Sequence, residues 1–281
     1  MQYFILALFF SIGILIIFKA FEKYKVRNLQ VIVISYGVSG ALAVSNSYSN
    51  NNNISQILGN NYIIAIILGI SFFIGFIFLS LSTQKLGLSI TSIAVNISVI
   101  IPVIVAAIIY NEKIYGYHLI GLLLAFPGFY LILKPSKQKP FQWKSIIFPL
   151  VLFFIGGLNN SLLRQAEVIG AMDFPMAFLG ILFSIAFAVS IIYTIVTKQE
   201  ISLKVKEMGF GVLLGSFNFA STYFFLKSLN HFPSSLYFSI YNLSFIAISA
   251  IVGLVIYKEK LSKTNLLGLI IAAIAVMMMN L

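Results

Sequence analysis

The chain has 281 residues, of which 60% are hydrophobic and 9% charged, with no cysteine and a formal net charge of +11. A water-soluble domain carries about 25% charged residues, so this composition excludes an ordinary soluble fold and indicates an integral membrane protein. Disulfide and thiol chemistry are excluded as well. The cations lie between apolar runs, which gives them a topological meaning and argues against nucleic acid as a partner.

In chain order, ten apolar runs reach the roughly 17–25 residues that a membrane-spanning helix needs. They are 3–19, 29–46, 61–81, 88–110, 116–133, 145–163, 174–197, 208–228, 235–257 and 262–280. Met1 to Ile17 lacks the basic start of a signal peptide and is read as a retained first span. The second run is the weakest, with Ser35, Ser39, Ser45 and two glycines. Two connections are long: the polar stretch from Ser45 to Asn61 and the basic linker from Lys134 to Lys144. The linker, with two prolines, divides the chain into 1–134 and 145–281, with 135–144 between them.

The linkers after spans 1, 3, 5, 7 and 9 carry 15 of the 18 cations. Lys113, Arg164 and Lys227 are the three on the other side. The positive-inside rule places the odd-numbered linkers in the cytoplasm and both termini outside a plasma (inner) membrane.

The fourth run closes on IYNEK (Ile109 to Lys113), and the ninth on IYKEK (Ile256 to Lys260). Asn96-Ile97-Ser98 recurs as Asn242-Leu243-Ser244. Gly121 and Gly268 each follow their glutamate by nine residues, and LFFSIG at Leu8 is echoed by LFFIGG at Leu152. The offsets of 144 to 147 positions predict a two-fold repeat of five spans. Five is odd, so the second copy must enter the membrane from the opposite face, as in the inverted repeats of secondary transporters. The fold class expected is therefore all-α and integral to the membrane: ten transmembrane helices as two inverted five-helix repeats.

These paired segments, a span ending in Glu-Lys, a short polar gap and a glycine-containing span, resemble the drug/metabolite transporter superfamily and its EamA-type ten-span members. The resemblance covers the whole chain in span count and is motif-specific in spans 4–5 and 9–10. Pro102 matches the proline usual in the first of these spans, while Ser249 stands near that place in the second half. The resemblance implies a basket of two five-helix halves, with spans 1–4 and 6–9 lining a central cavity. It places spans 5 and 10 at the periphery, where a homodimer contact can form. The substrates it implies are small metabolites or drugs.

The polar groups inside spans are Asn96, Asn159, Asn160, Asn218 and Asn242, with Tyr36, Tyr223, Tyr237 and Tyr241 near them. An amide in lipid must find a partner, because an unsatisfied group costs several kcal/mol. These residues serve either as interhelical hydrogen bonds or as a cavity pairing amides with aromatics. Asn96 and Asn242, repeat-related and near mid-span, are the leading substrate-binding candidates. Tyr36, Asn159, Asn160, Asn218, Tyr237 and Tyr241 follow them. Pro102 removes a backbone hydrogen bond and predicts a mid-membrane kink.

Glu112 and Glu259 mark span ends and serve either to fix helix depth or as gating or coupling carboxylates. No acid falls at the middle of a span, which argues against proton-driven export of organic cations and for neutral or zwitterionic substrates. Arg164, Glu167 and Asp173 form a charged outer linker. His118 and His231 have no partners at metal spacing, so no metal site is expected. No phosphate-binding G-x-x-x-x-G-K-[ST] loop is present, and no nucleophile–base pair suggests an enzyme. The function expected is a secondary transporter, an exporter or exchanger without a cofactor. The alternative is a lipid or lipid-carrier flippase of the same architecture.

Overall fold

The computed structural model describes residues 2–49, 62–109, 116–133, 143–168, 174–199, 204–229, 234–259 and 261–279. Among them every regular element is a helix. The first three are α1 (Gln2–Tyr24), α2 (Asn28–Ser49) and α3 (Tyr62–Leu86). Next come α4 (Leu88–Ile97), α5 (Ile100–Ile109), α6 (Gly116–Leu133) and α7 (Trp143–Val168). The last four are α8 (Pro175–Val196), α9 (Val205–Leu229), α10 (Ser234–Val255) and α11 (Lys263–Met279).

A helix satisfies its own backbone polar groups, which is why apolar runs of this kind fold as helices in lipid. Among the described residues, seven stretches are long and apolar enough to cross a membrane, and three shorter apolar helices lie at 119–132, 240–255 and 263–278. The fourth predicted run is not one helix. It is broken between α4 and α5 at Ser98 and Val99.

The helix ends follow local chemistry. Lys25, Lys198 and Lys258 each adopt a left-handed backbone with φ near +50° just past α1, α8 and α10. After α1 and α8 the next residue's N–H returns to a carbonyl five residues back, as Val26 to Phe21 (3.0 Å) and Gln199 to Thr194 (3.1 Å). This closes the last turn, and the lysine charge sits at the negative end of the helix. Pro175 opens α8 at a position where its missing N–H costs nothing. Ser262 and Asn265 open α11 with reciprocal bonds: Asn265 N–H to Ser262 Oγ (3.1 Å) and Ser262 N–H to Asn265 Oδ1 (3.0 Å).

The chain forms two compact units, and each draws on both halves of the sequence. The first comprises 1–80 and 162–228, and the second 81–161 and 229–281. In the first unit the most extensive helix contact is α2 on α8. Its core holds Phe18, Phe21, Tyr36, Phe73, Phe178 and Phe183 with smaller aliphatics. Phe18 meets Phe21 and Phe76 edge-on, and Phe21 meets Phe210 in the same way. A polar seam joins α2 to α9. There Ser39 Oγ donates to a backbone carbonyl of Ser35 (2.8 Å) or Gly215 (2.9 Å), and Asn218 Nδ2 donates to Ser39 Oγ (3.3 Å).

In the second unit the most extensive contact is α6 on α11, followed by α4 on α10. The α6–α11 backbones come close. A Cβ added to Gly128 would lie 3.0 Å from Ala272 N, and one on Gly268 would lie 2.7 Å from Ile132 N. Asn265 Nδ2 extends this seam, donating to the carbonyls of Leu131 (3.2 Å) and Ile132 (2.7 Å). Ile93, Ile97, Ile100, Ile132 and Ile246 form the buried core beside it.

Candidate functional site

The second unit holds the arrangement with the most unusual chemistry. α4 starts at Gly87, whose φ of +98° favours glycine. Its first N–H groups have no intrahelical acceptor, and the Glu259 carboxylate supplies one. Leu88 N–H donates to Glu259 Oε1 (2.6 Å), while Ser89 N–H (3.2 Å) and Ser89 Oγ–H (2.8 Å) donate to Oε2.

The chain makes room for this carboxylate. A Cβ on Gly87 or Gly253 would collide with it. Glu259 itself is set by the turn after α10, where its N–H returns to Gly253 O (2.9 Å) across the left-handed Lys258. The carboxylate of IYKEK is therefore held by a helix start. The positive end of a helix favours such a charge.

At its other end α4 stops at the predicted kink. Pro102 has no N–H to give Ser98 O, which accepts from Ile101 N–H instead (3.0 Å). Val99 N–H turns back to Asn96 O (3.3 Å). α4 is thus a ten-residue half-helix between a glycine hinge and a proline-linked break.

The predicted binding residues fall in both units. Tyr36 and Asn218 belong to the first unit and are buried there. Tyr36 OH donates to Phe72 O (2.7 Å), and Asn218 joins the α2–α9 seam. Both act as interhelical hydrogen bonds in this conformation. Asn96, Asn159, Asn160, Asn242 and Tyr241 belong to the second unit. Asn96 is buried and donates to Ser92 O of its own helix (2.7 Å). Tyr241 is buried and stacks near Phe245. Asn242 and Asn159 are half-buried, and Asn160 is exposed. Pro102 is half-buried.

Glu112, Asp173 and His231 lie outside the described residues, as do the side chains of Tyr237, Arg164, Glu167 and His118. Among the described residues no three His, Cys, Asp or Glu side chains come together as a metal site would need.

Four residues beyond the predicted set stand out in the structure. Gly87 was legible as a helix start, a glycine just before an apolar run whose second residue is Ser89. Gly253 clears space for the Glu259 carboxylate. Hydropathy places Glu207 in the linker before the run 208–228. α9 begins at Val205 and takes Glu207 into its first turn, 4% exposed, where the helix N-terminus favours an acid.

Comparison with known proteins adds to this geometry. The EamA-like transporter family matches residues 143–281. An uncharacterized protein of Haemophilus influenzae (strain ATCC 51907 / DSM 11121 / KW20 / Rd) is 30% identical over 205 residues, spanning 72% of this chain and 69% of that protein. A crystal structure with 13% identity shares the fold at a TM-score of 0.63, over 97% of this chain and 95% of its own. The repeated Glu-Lys span ends, the helical fold and these matches agree: the chain belongs to the EamA-like transporter family.

Proposed function

We propose that the protein is a secondary transporter of small neutral or zwitterionic metabolites, an exporter or exchanger in the plasma (inner) membrane, working by alternating access. The observation that carries this reading is the discontinuous fourth span in a member of a transporter family. Broken helices are tolerated at membrane depth where they line a cavity, and transporters use them at binding sites and hinges.

The ten-span inverted repeat is part of the proposal. It is supported by the pairings inside each unit. α2–α8 joins predicted spans 2 and 7, α6–α11 joins 5 and 10, and α4–α10 joins 4 and 9. Each pair is repeat-related in the sequence, as a pseudo-two-fold axis would demand.

Asn242 and Asn159, half-buried in the second unit, are the amides best placed to meet a substrate, with Asn160 and Tyr241 near them in sequence. Asn96 becomes available when its bond to Ser92 is exchanged for one to a ligand. Glu259 and Pro102 act on the moving parts.

The test is a thermal-shift screen of purified protein against amino acids, sugars, nucleosides and lipophilic cations. Counterflow in proteoliposomes follows for any ligand found. A specific ligand stabilises the folded state by mass action. Stabilisation by one neutral or zwitterionic class, lost in Asn242→Ala, supports the proposal. Stabilisation by lipophilic cations alone overturns the substrate class, and movement of fluorescent lipid without solute counterflow favours a flippase.

A further inference from the structure

We propose that α4 is a gate that opens as one rigid segment, and that Glu259 is the latch holding it shut. This rests on the transporter reading above and names the element that moves.

The first argument is mechanical. Both ends of α4 are built to bend. Gly87 sits at φ +98° at one end, and at the other the helix hydrogen bonding is interrupted at Ser98–Val99 ahead of Pro102. Between them the ten residues are regular helix. Motion between two such points displaces the segment as a unit.

The second argument is an inventory of polar bonds. α4 is rich in polar side chains for a buried apolar helix, with Ser89, Thr91, Ser92 and Asn96 all buried. Most satisfy themselves locally. Thr91 Oγ1 donates to Gly87 O (2.7 Å), Ser92 Oγ to Ser89 O (3.0 Å) and Asn96 Nδ2 to Ser92 O (2.7 Å). These bonds travel with the segment and cost nothing when it moves.

Among the described residues, the side-chain hydrogen bonds that tie α4 to other elements are few. One is the hydroxyl pair Thr91–Ser82 (2.8 Å). The others are the three bonds that converge on Glu259.

The third argument is energetic. In lipid, apolar contact between helices has little hydrophobic driving force, because acyl chains are as apolar as leucine. Ile93 and Ile97 therefore hold α4 less firmly than they would in water. Hydrogen bonds to a charged acceptor are the strong ones. A carboxylate reached from the far end of α10 thus dominates the polar attachment of α4. Gly87 and Gly253 keep its seat clear.

The alternative is a static cap that trims only the fraying of the first turn. Hydrogen–deuterium exchange in lipid nanodiscs separates the two and needs no substrate. In Glu259→Gln the acceptor loses its charge. The amides of Leu88 through Ile97 are expected to exchange faster together, by about tenfold or more, with α6 and α11 unchanged. Ser89→Ala, which removes one of the three bonds and leaves the charge, is expected to accelerate the same segment about threefold. It serves if Glu259→Gln folds poorly.

Acceleration confined to Leu88–Thr91 would show a static cap and overturn the proposal. So would no change in either variant, or loosening that spreads into α11. Because exchange is read without a ligand, a failed substrate screen leaves this result standing. Detected transport alongside a rigid α4 would overturn the gate while the transporter reading survived.

Discussion

The two compact units contrast in how they are held. The first is joined by aromatic rings around Phe18, Phe21 and Phe183 and by a continuous seam of serines and Asn218 between α2 and α9. The second is tight where α6 meets α11, backbone against backbone, and where the half-helix α4 meets α10 it is joined by the hydrogen bonds that converge on Glu259. In lipid the difference matters, because close backbone packing and hydrogen bonds replace the hydrophobic effect as the source of helix association. The first unit and the α6–α11 pair have the character of scaffold. α4 is the element proposed to move.

The sharpest way to break the contrast is to force the close contacts apart. Gly215→Val in the first unit and Gly268→Val in the second each place a side chain against a neighbouring backbone, at 2.5 Å from Ser35 O and 2.7 Å from Ile132 N. Both should lose about 3 kcal/mol or more. Thermal unfolding in detergent, followed by fluorescence-detected size exclusion, checks this. An equal loss in both would identify α6–α11 as scaffold on the same footing as α2–α9.

Glu259→Gln comes next, with a loss of about 2 kcal/mol from weakened hydrogen bonds to a charged group. The expected thermal midpoint is lower than wild type and higher than in Gly268→Val. Tyr36→Phe, in the first unit, removes one neutral bond to Phe72 O and should cost about 1 kcal/mol in the same assay. If Tyr36→Phe proved the more damaging of the two, the ranking of α4 as the charge-held element would fail.

Lys198→Gly is the smallest change. It relieves a left-handed backbone, worth about 1 kcal/mol, against the added freedom of glycine when unfolded, of nearly the same size. A shift in midpoint of no more than a degree or two is expected, with the fold intact.

Much of the fold was legible in the chain. A helix, or the broken pair α4–α5, stands at each of the ten predicted apolar runs. The reason is that in lipid a helix is the one way for a single segment to satisfy its own backbone, so hydropathy alone marks it. The kink at Pro102 was legible for a similar reason, since proline cannot donate. Helix starts were harder. Span 8 begins before Glu207 and not after it, because charged residues in a first turn look like linker to a hydropathy reading. The candidate site was legible only in its members. Glu259 stood out by its repeat with Glu112, yet its partners Leu88 and Ser89 lie 171 and 170 positions away.

The sequence by itself determined that this is a helical membrane protein of a transporter family, with a Glu-Lys pair at the close of two apolar runs and a proline inside one of them. Composition, periodicity and repeat are local or statistical properties, and each is written in the order of residues. Only the tertiary structure decided that Tyr36 and Asn218 spend their polar groups on neighbouring helices. It alone decided that the Glu259 carboxylate meets the start of a helix far away in the chain. Those outcomes depend on which helix faces meet, and in a chain where nearly every face is apolar the hydrophobic pattern does not distinguish them.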